Sequence, residues 1–306
     1  MSFTFRHNRV TILGGTGTLG QALVPVIQDK WPKVQITIIS RGEHKQAEMK
    51  RKFPKCLYVI GDIKDQRSIG RYISGRDIVF HVAALKHVDV AQENPLESQR
   101  INLDGTVNAA DSAYNNGVQR FIFSSTDKAV SPETTYGFHK ASAEDFLFNC
   151  NKMQTATRFG VYRWGNVLGS QGSAIPYFAK TLLEERKAYI THPEMTRFWI
   201  PIEWAVQYML RTFDECKTDR AMIPPNMKAA SVTAIVSAIG DILGIKDYAL
   251  VPIPMRGVEK LHEQIASKSR DGYDLTSEHS PNYSRDELVE MLRPIILKIT
   301  QARAAA

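Results

Sequence analysis

Short apolar runs rich in β-branched residues recur along the first half of the chain: Val10 to Leu13, Ile36 to Ile39, Leu57 to Ile60, Ile78 to Phe80 and Phe121 to Phe123. Each is too short for a helix, and segments of helical length and period separate them. Runs without polar alternation are buried on both faces, so they predict parallel strands covered by helices on either side. Right-handed crossovers make this an α/β fold, a Rossmann-type doubly wound parallel sheet. After about residue 165 the rhythm breaks, and Pro, Gly and Trp crowd "GNVLGSQGSAIPYF", "THPEMTRFWIPIEW" and "PIPMRGVEKLHE". The break predicts a first domain over 1–165, to which some later segments return, and a smaller C-terminal lobe over 166–306 made of loops and short elements. Helical patterns resume at 203–216 and 231–243, and Ser284-x-x-Glu287 is a capping box for a last helix that Pro294 should end or kink.

Composition narrows the classes. The 306 residues are 43% apolar, enough for a large core. No run approaches the roughly 18 to 20 apolar residues of a membrane span, and the N-terminus carries no apolar leader core. The three cysteines, Cys56, Cys150 and Cys216, have neither metal nor disulfide spacing, which points to a reducing, cytoplasmic setting and to no metal. The net charge of +7 is spread, its densest stretch being "KRKFPK", so a solvated face or a phosphate-rich small substrate explains it better than nucleic acid does.

Candidate chemistry begins at "VTILGGTGTLGQAL", where a glycine turn follows the first strand and opens a helix. Gly15, Gly17 and Gly20 fit G-x-G-x-x-G, and Gly14, Gly17 and Gly20 fit its looser form; with Thr18 and Leu19 they form a pyrophosphate cradle at a helix start. At the end of the second strand, where an NAD site usually offers a carboxylate, stand Ser40 and Arg41, with Lys45 four residues on. An arginine there pairs with the NADP 2′-phosphate, and a carboxylate would repel it. Asp62 and Ile63, after the third strand, are placed beside the adenine, although Asp62 equally suits a helix cap. After the fourth strand, Ala83 and Ala84 are small enough to let a cofactor lie on the backbone, and Lys86 and His87 follow. Tyr136 and Lys140, four apart, share one face of a helix, where the ammonium should pull the phenol's pKa down toward working pH. A phenolate so placed can take the proton of a sugar hydroxyl, and Lys140 can also hold the nicotinamide ribose.

The phrases "GGTGTLG", "SRGEHKQAEM", "AALKHVDVAQENP", "NLDGT", "SSTDKAVSPETTYGFHK", "GNVLGSQGSAIP", "MTRFW" and "EKLHE" cover most of the chain. With them it resembles the extended short-chain dehydrogenase/reductases, the sugar-nucleotide epimerase and dehydratase superfamily. Within it, the configuration-inverting UDP-N-acetylglucosamine 4,6-dehydratases are most similar. The resemblance implies oxidation at C4 by NADP, loss of water across C5 and C6, return of the hydride to C6 and reprotonation of C5 from the opposite face. It implies Tyr136 as the C4 base with Lys140 as its partner, Thr126 on the C4 oxygen, Asp127 as the C6 acid and Lys128 as the C5 base. Retaining dehydratases of the superfamily typically carry Glu where Lys128 stands. For the UDP moiety it implies Asn166, Arg197, Arg256 and Glu259, with Lys86 a further candidate near substrate or cofactor. A UDP-sugar partner, no nucleic acid and a homo-oligomer are expected. The chain departs from the family pattern at Leu13, usually Thr, and in "RGVEKLHE", usually "RPGEKLHE". A 4-epimerase needs Tyr136 and Lys140 but neither Asp127 nor Lys128, and the fold alone also permits a non-catalytic NADP-sensing scaffold.

Overall fold

The computed structural model describes residues 3–153, 156–170, 172–215, 219–255 and 259–304. The chain divides into two compact units. The first comprises 1–163 and 206–223, the second 164–205 and 224–306.

In the first unit strands and helices alternate: β1 (Arg9–Leu13), α1 (Thr18–Lys30), β2 (Gln35–Ser40), α2 (Glu43–Lys52), β3 (Leu57–Ile60), α3 (Gln66–Ile73) and β4 (Ile78–His81). Then come α4 (Val88–Glu93), α5 (Pro95–Gln99), a π-helical turn at Arg100–Asp104, α6 (Gly105–Asn115), β5 (Arg120–Ser124), a 3-10 turn at Asp127–Ala129, α7 (Thr135–Lys152) and β6 (Arg158–Tyr162). The six strands are parallel in the order β3-β2-β1-β4-β5-β6. The order reverses direction between β1 and β4, the place where open α/β sheets bind ligands at their strand ends. Central strands are apolar throughout because both faces are covered; Val10, Ile12, Ile78, Val79, Phe80, Phe121, Ile122 and Phe123 have no exposed surface. Two expectations change here. β3 is an edge strand rather than a buried one, with Leu57 at 45% and Ile60 at 59% exposure. A sixth strand, β6, was missed because "RFGVY" is interrupted by glycine and begins with a charge.

The later segment 206–223 belongs to the first unit for visible reasons. Met222 donates to Val161 O (2.7 Å) and accepts from Arg163 N (3.1 Å). Phe213 stacks edge-on against Phe3 and Trp31, and Asp214 takes the amide of Phe3 and an ion pair from Arg120.

The second unit holds β7 (Asn166–Val167), α8 (Ala174–Glu185), β8 (Lys187–Ile190), β9 (Thr196–Ile200), β10 (Ala229–Ser231), α10 (Val232–Leu243), β11 (Ala249–Pro252), β12 (Gln264–Ala266), α11 (Lys268–Asp271), β13 (Leu275–Thr276) and α12 (Arg285–Ala304). α9 (Ile202–Thr212) runs from this unit into the first. α8, α10 and α12 bury Phe178, Leu182, Ile235, Ile239, Leu288, Leu292 and Ile296 in one cluster. The capping box forms: Glu287 N donates to Ser284 Oγ (3.2 Å) and Ser284 N to Glu287 Oε2 (2.8 Å). Pro294 does not end the helix, which continues to Ala304.

Candidate active site

The glycine turn is built by close approach. Gly14 has φ +82°, and a Cβ there would lie 2.6 Å from the Ala83 backbone, so β1 and β4 leave no room for a side chain at their ends. A Cβ on Gly20 would lie 2.5 Å from Gly15, which brings the first turn of α1 down onto the strand end. Gly17 differs, since a Cβ there would meet only the Gly14 carbonyl, at 3.3 Å. Its outer side is the approach a pyrophosphate requires. Gly17 is also the N-cap of α1, without a side-chain cap, as a phosphate-binding helix start demands. Thr18 and Leu19 form the first turn.

Around the strand ends the other cofactor candidates fall as follows. Ser40 Oγ accepts from Gln46 Nε2 (3.0 Å), and the same amide bonds Ser40 O (3.0 Å) and Val59 O (2.7 Å), so Gln46 locks the β2 end to α2 and β3. Arg41 and Lys45 are exposed beside it. Asp62 is not the cap of α3. That role belongs to Asp65, whose carboxylate accepts from Ser68 N (3.1 Å), while Asp62 binds the Lys64 amide (3.0 Å) and ammonium (3.6 Å). Ile63 is buried, packed where a Cβ on Gly105 would lie 2.8 Å from it. Ala83 is half-buried and Ala84 exposed; Lys86 is exposed as a whole residue, yet desolvation of its ammonium by the surrounding protein lowers its pKa.

The catalytic candidates converge. Thr126 caps the 3-10 turn that begins at the end of β5: its Oγ1 accepts from Lys128 N (3.3 Å) and donates to Asp127 Oδ1 (3.0 Å). Lys128 Nζ reaches the same Oδ1 at 3.2 Å. Asp127 is almost wholly buried, whereas the Lys128 side chain keeps about a quarter of its surface, 24%. Tyr136, on the first turn of α7, stands beside Thr126 and sits in the field of Lys128 and Asp127. Lys140, one turn on, is buried, donates to Ser124 O (2.6 Å) and lies 3.8 Å from the Phe123 ring centre. Five side chains singled out by pattern therefore share one corner of the first unit.

Their ionisation departs from expectation. Burial pushes the Tyr136 phenol up to about 12, outweighing Lys128 and Thr126, which favour the phenolate. Burial also brings the Lys140 ammonium down to about 7, against the opposing pull of Glu144. Desolvation, invisible in a motif, wins over the charge pairing that the motif suggests.

Pattern reading missed several residues. A Cβ on Gly137 would lie 2.4 Å from the Lys128 carbonyl, so this glycine lets α7 seat on the 3-10 turn and carries Tyr136 to Thr126. Ser125, Glu144 and Arg163 form a buried, hydrogen-bonded cluster that joins α7 to the end of β5. The only sequence signal for Glu144 is its place four residues after Lys140, continuing the face begun by Tyr136.

In the second unit, Asn166 lies in β7, paired with Trp199 of β9. Arg197 is buried in β9 and commits its guanidinium to its own unit: it donates to Thr196 O (2.7 Å), Leu261 O (3.0 Å) and Lys260 O (2.8 Å), and lies 3.7 Å from Glu259 and from Glu263. It thus holds the "EKLHE" segment in this state. Glu259 is partly exposed. Arg256 lies outside the described residues. Among the described residues no cluster of His, Cys, Asp and Glu could hold a metal, Cys56 and Cys150 are free thiols, and no helix is long and apolar enough to cross a membrane.

A doubly wound sheet, a glycine turn at its switch point and a Tyr-x-x-x-Lys pair past β5 define a short-chain dehydrogenase/reductase of the extended kind. The chain belongs to the polysaccharide biosynthesis protein family, whose profile matches residues 10–284. It is 37% identical over 287 residues to the inverting UDP-N-acetylglucosamine 4,6-dehydratase of Campylobacter jejuni subsp. jejuni serotype O:2, covering 92% of this chain and 83% of that one. It is 34% identical over 274 residues to the UDP-glucose 4-epimerase of Rickettsia felis, covering 86% and 79%. Among solved structures it superposes on Pen from Bacillus thuringiensis with a TM-score of 0.87 at 26% identity, covering 97% of this chain and all of that one, 100%.

Proposed function

We propose that the protein is a 4,6-dehydratase of UDP-N-acetylglucosamine that inverts C5, yielding a UDP-2-acetamido-2,6-dideoxy-L-arabino-hexos-4-ulose with NADP as its resident cofactor. The observation that carries this is the hydrogen-bonded Thr126-Asp127-Lys128 cluster, its Asp127 buried, set beside Tyr136. The relative from Campylobacter supports the same reading.

The residues that would hold the cofactor fit it. The open side of Gly17 and the uncapped start of α1 suit its pyrophosphate, and exposed Arg41 and Lys45 suit a 2′-phosphate. A bound nicotinamide supplies a reversible two-electron acceptor, so that C4 can be oxidised and C6 later reduced within one turnover. The chain supplies the proton chemistry. Tyr136 takes the C4 hydroxyl proton, with Lys140 and Thr126 stabilising the phenolate. The 4-ketone acidifies the C5 proton. Asp127 and Lys128 then act as one proton-sharing pair. Transfer of a proton from the Lys128 ammonium to the Asp127 carboxylate leaves a neutral amine beside a carboxylic acid, and excluding water from the buried carboxylate favours that neutral form. The amine takes the C5 proton; the acid protonates the departing C6 hydroxyl. After the elimination both residues are back in their starting charge states, so that step needs no external proton. C5 is then reprotonated from the face opposite the original hydrogen, by a proton exchanged with water, which gives the L configuration.

The test is incubation with UDP-N-acetylglucosamine and NADP in heavy water, followed by product NMR. The expected product is a 4-keto-6-deoxy sugar with deuterium at C5 and L configuration. Unchanged substrate refutes the reading. Asp127→Asn and Lys128→Met should each abolish dehydration while cofactor binding persists. A second reading, a UDP-sugar 4-epimerase, draws support from the Rickettsia relative. It predicts UDP-N-acetylgalactosamine as product and indifference to both substitutions.

A further inference from the structure

Beneath the reaction corner lies a charge cluster that the proposed chemistry does not use. Glu144 has no exposed surface. It stands one helical turn beyond Lys140, on the face that carries Tyr136 and Lys140. Arg163, also without exposed surface, grips its carboxylate with Nε (2.9 and 3.1 Å) and Nη2 (2.6 Å). Ser125 Oγ donates to Glu144 Oε1 at 2.5 Å, and Ser125 N donates to Tyr162 O at 2.6 Å. One carboxylate therefore ties α7 to the ends of β5 and β6. Ser125 lies between the two groups the site needs at the end of β5. Before it is the Ser124 carbonyl, which accepts from Lys140 Nζ; after it is the Thr126 hydroxyl, which meets Tyr136 and Asp127.

We propose that Glu144 is a positioning residue of the reaction centre. Through Ser125 and Arg163 it fixes the strand end that presents the Ser124 carbonyl and the Thr126 hydroxyl, and it is the buried anion that Lys140 answers across one helical turn. A purely structural ion pair would need only Arg163. The Ser125 bond, made from the residue between two site groups, is what a structural role leaves unexplained. The balance around Lys140 agrees: Glu144 is the one group that raises its pKa against desolvation. The titratable or charged groups nearest this corner are Tyr136 on α7, His81 on β4, Arg163 just past β6, and Asp127 and Lys128 on the 3-10 turn; His139 stands on the same helix, and Arg100 and Asp104 on the π-helical turn packed on it. His81 feels Lys140 in turn, since burial first and the Lys140 charge second depress its imidazole.

The role rests on the dehydratase reading only for what Lys140 serves, and the experiment separates the two. Glu144→Gln alone would strand Arg163 in the core, so it is made together with Arg163→Met, the kind of exchange that buried ion pairs tolerate. Ser125→Ala keeps the ion pair and is expected to melt like the parent. Lysine is labelled with 13C at Cε, the Lys140 signal is assigned with Lys140→Met, and its titration is followed by NMR. In the parent the midpoint is expected near 7. It should fall by about one unit or more in the double variant, where the anion is gone, and by a smaller amount in Ser125→Ala, where the Ser124 carbonyl is loosened. Turnover at pH 7 should drop at least about tenfold in the double variant with the KM for cofactor unchanged, a kcat effect that lost folding would not produce. A midpoint that stays near the parent's in Ser125→Ala, or in a double variant that melts cooperatively, overturns the proposal. If the parent shows no dehydration, the functional reading fails, and the NMR titration still decides the role of Glu144.

Discussion

A phenol held near 12 and an ammonium held near 7 each depart from what a Tyr-x-x-x-Lys motif suggests, a phenol drawn down beside a fully charged lysine. The cause is burial, and it has a stability consequence with a definite sign. The Lys140 pKa is depressed in the fold, so between about 7 and its ordinary value the unfolded chain binds a proton that the native chain does not. Stability from this group therefore rises with pH through that window, by on the order of 1 kcal/mol per unit at most. Thermal unfolding from pH 7 to 9 should show a steeper rise for the parent than for Lys140→Met, and parallel curves would contradict the burial argument. Tyr136→Phe removes a single oxygen from a buried ring. Turnover is expected to fall about 10²- to 10⁴-fold with cofactor affinity kept, as measured by steady-state kinetics beside a fluorescence titration. At the cofactor end, Arg41→Ala should weaken NADP by about tenfold or more and leave NAD nearly unchanged, because only the former carries a 2′-phosphate. The identities of Thr126, Asp127, Lys128, Tyr136 and Lys140 were legible in the chain, since chemistry follows residue type. Their ionisation was not, since it depends on how much protein surrounds each group.

Elements decide whether those groups meet. α7 starts where Thr134 Oγ1 accepts from Gly137 N at 3.0 Å, and Gly137 is the point where this helix touches the Lys128 carbonyl. On helix propensity alone Gly137→Ala should stabilise by about 1 kcal/mol. The clash predicts the reverse, a lower Tm and a lower kcat, so the sign of the Tm change tells which effect wins. Strand burial was read correctly where helices cover both faces and wrongly at β3, where position in the sheet, and not residue type, sets exposure. β6 escaped because its apolar run is broken by Gly160, and its pairing with β5 supplies the order that local propensity lacks. Pro294 shows the same limit: the apolar face of α12, packed in the second unit's core through Leu288, Leu292 and Ile296, carries the helix past a residue that cannot donate.

For the whole molecule, the division into units follows packing and not chain order. Residues 206–223 return to the first unit, bringing Phe213 to Phe3 and Trp31, Asp214 to Arg120, and Met222 to the end of β6. A fragment of residues 1–165 lacks these partners and leaves an aromatic cluster open to water. It is expected to melt at least several degrees lower and less cooperatively than the full chain, by circular dichroism. The alternation of apolar runs, the glycine turn and the Thr-Asp-Lys and Tyr-x-x-x-Lys phrases determined the fold class and the candidate chemistry, because each is a local rule of backbone sterics or functional-group identity. Only the tertiary structure decided that β3 is an edge, that Glu144 and Arg163 lie under Lys140, and that Arg197 spends its donors on the 260–261 carbonyls. Those facts depend on which distant segments are pressed together and how much water is excluded between them, and neither quantity is written at any single position of the chain.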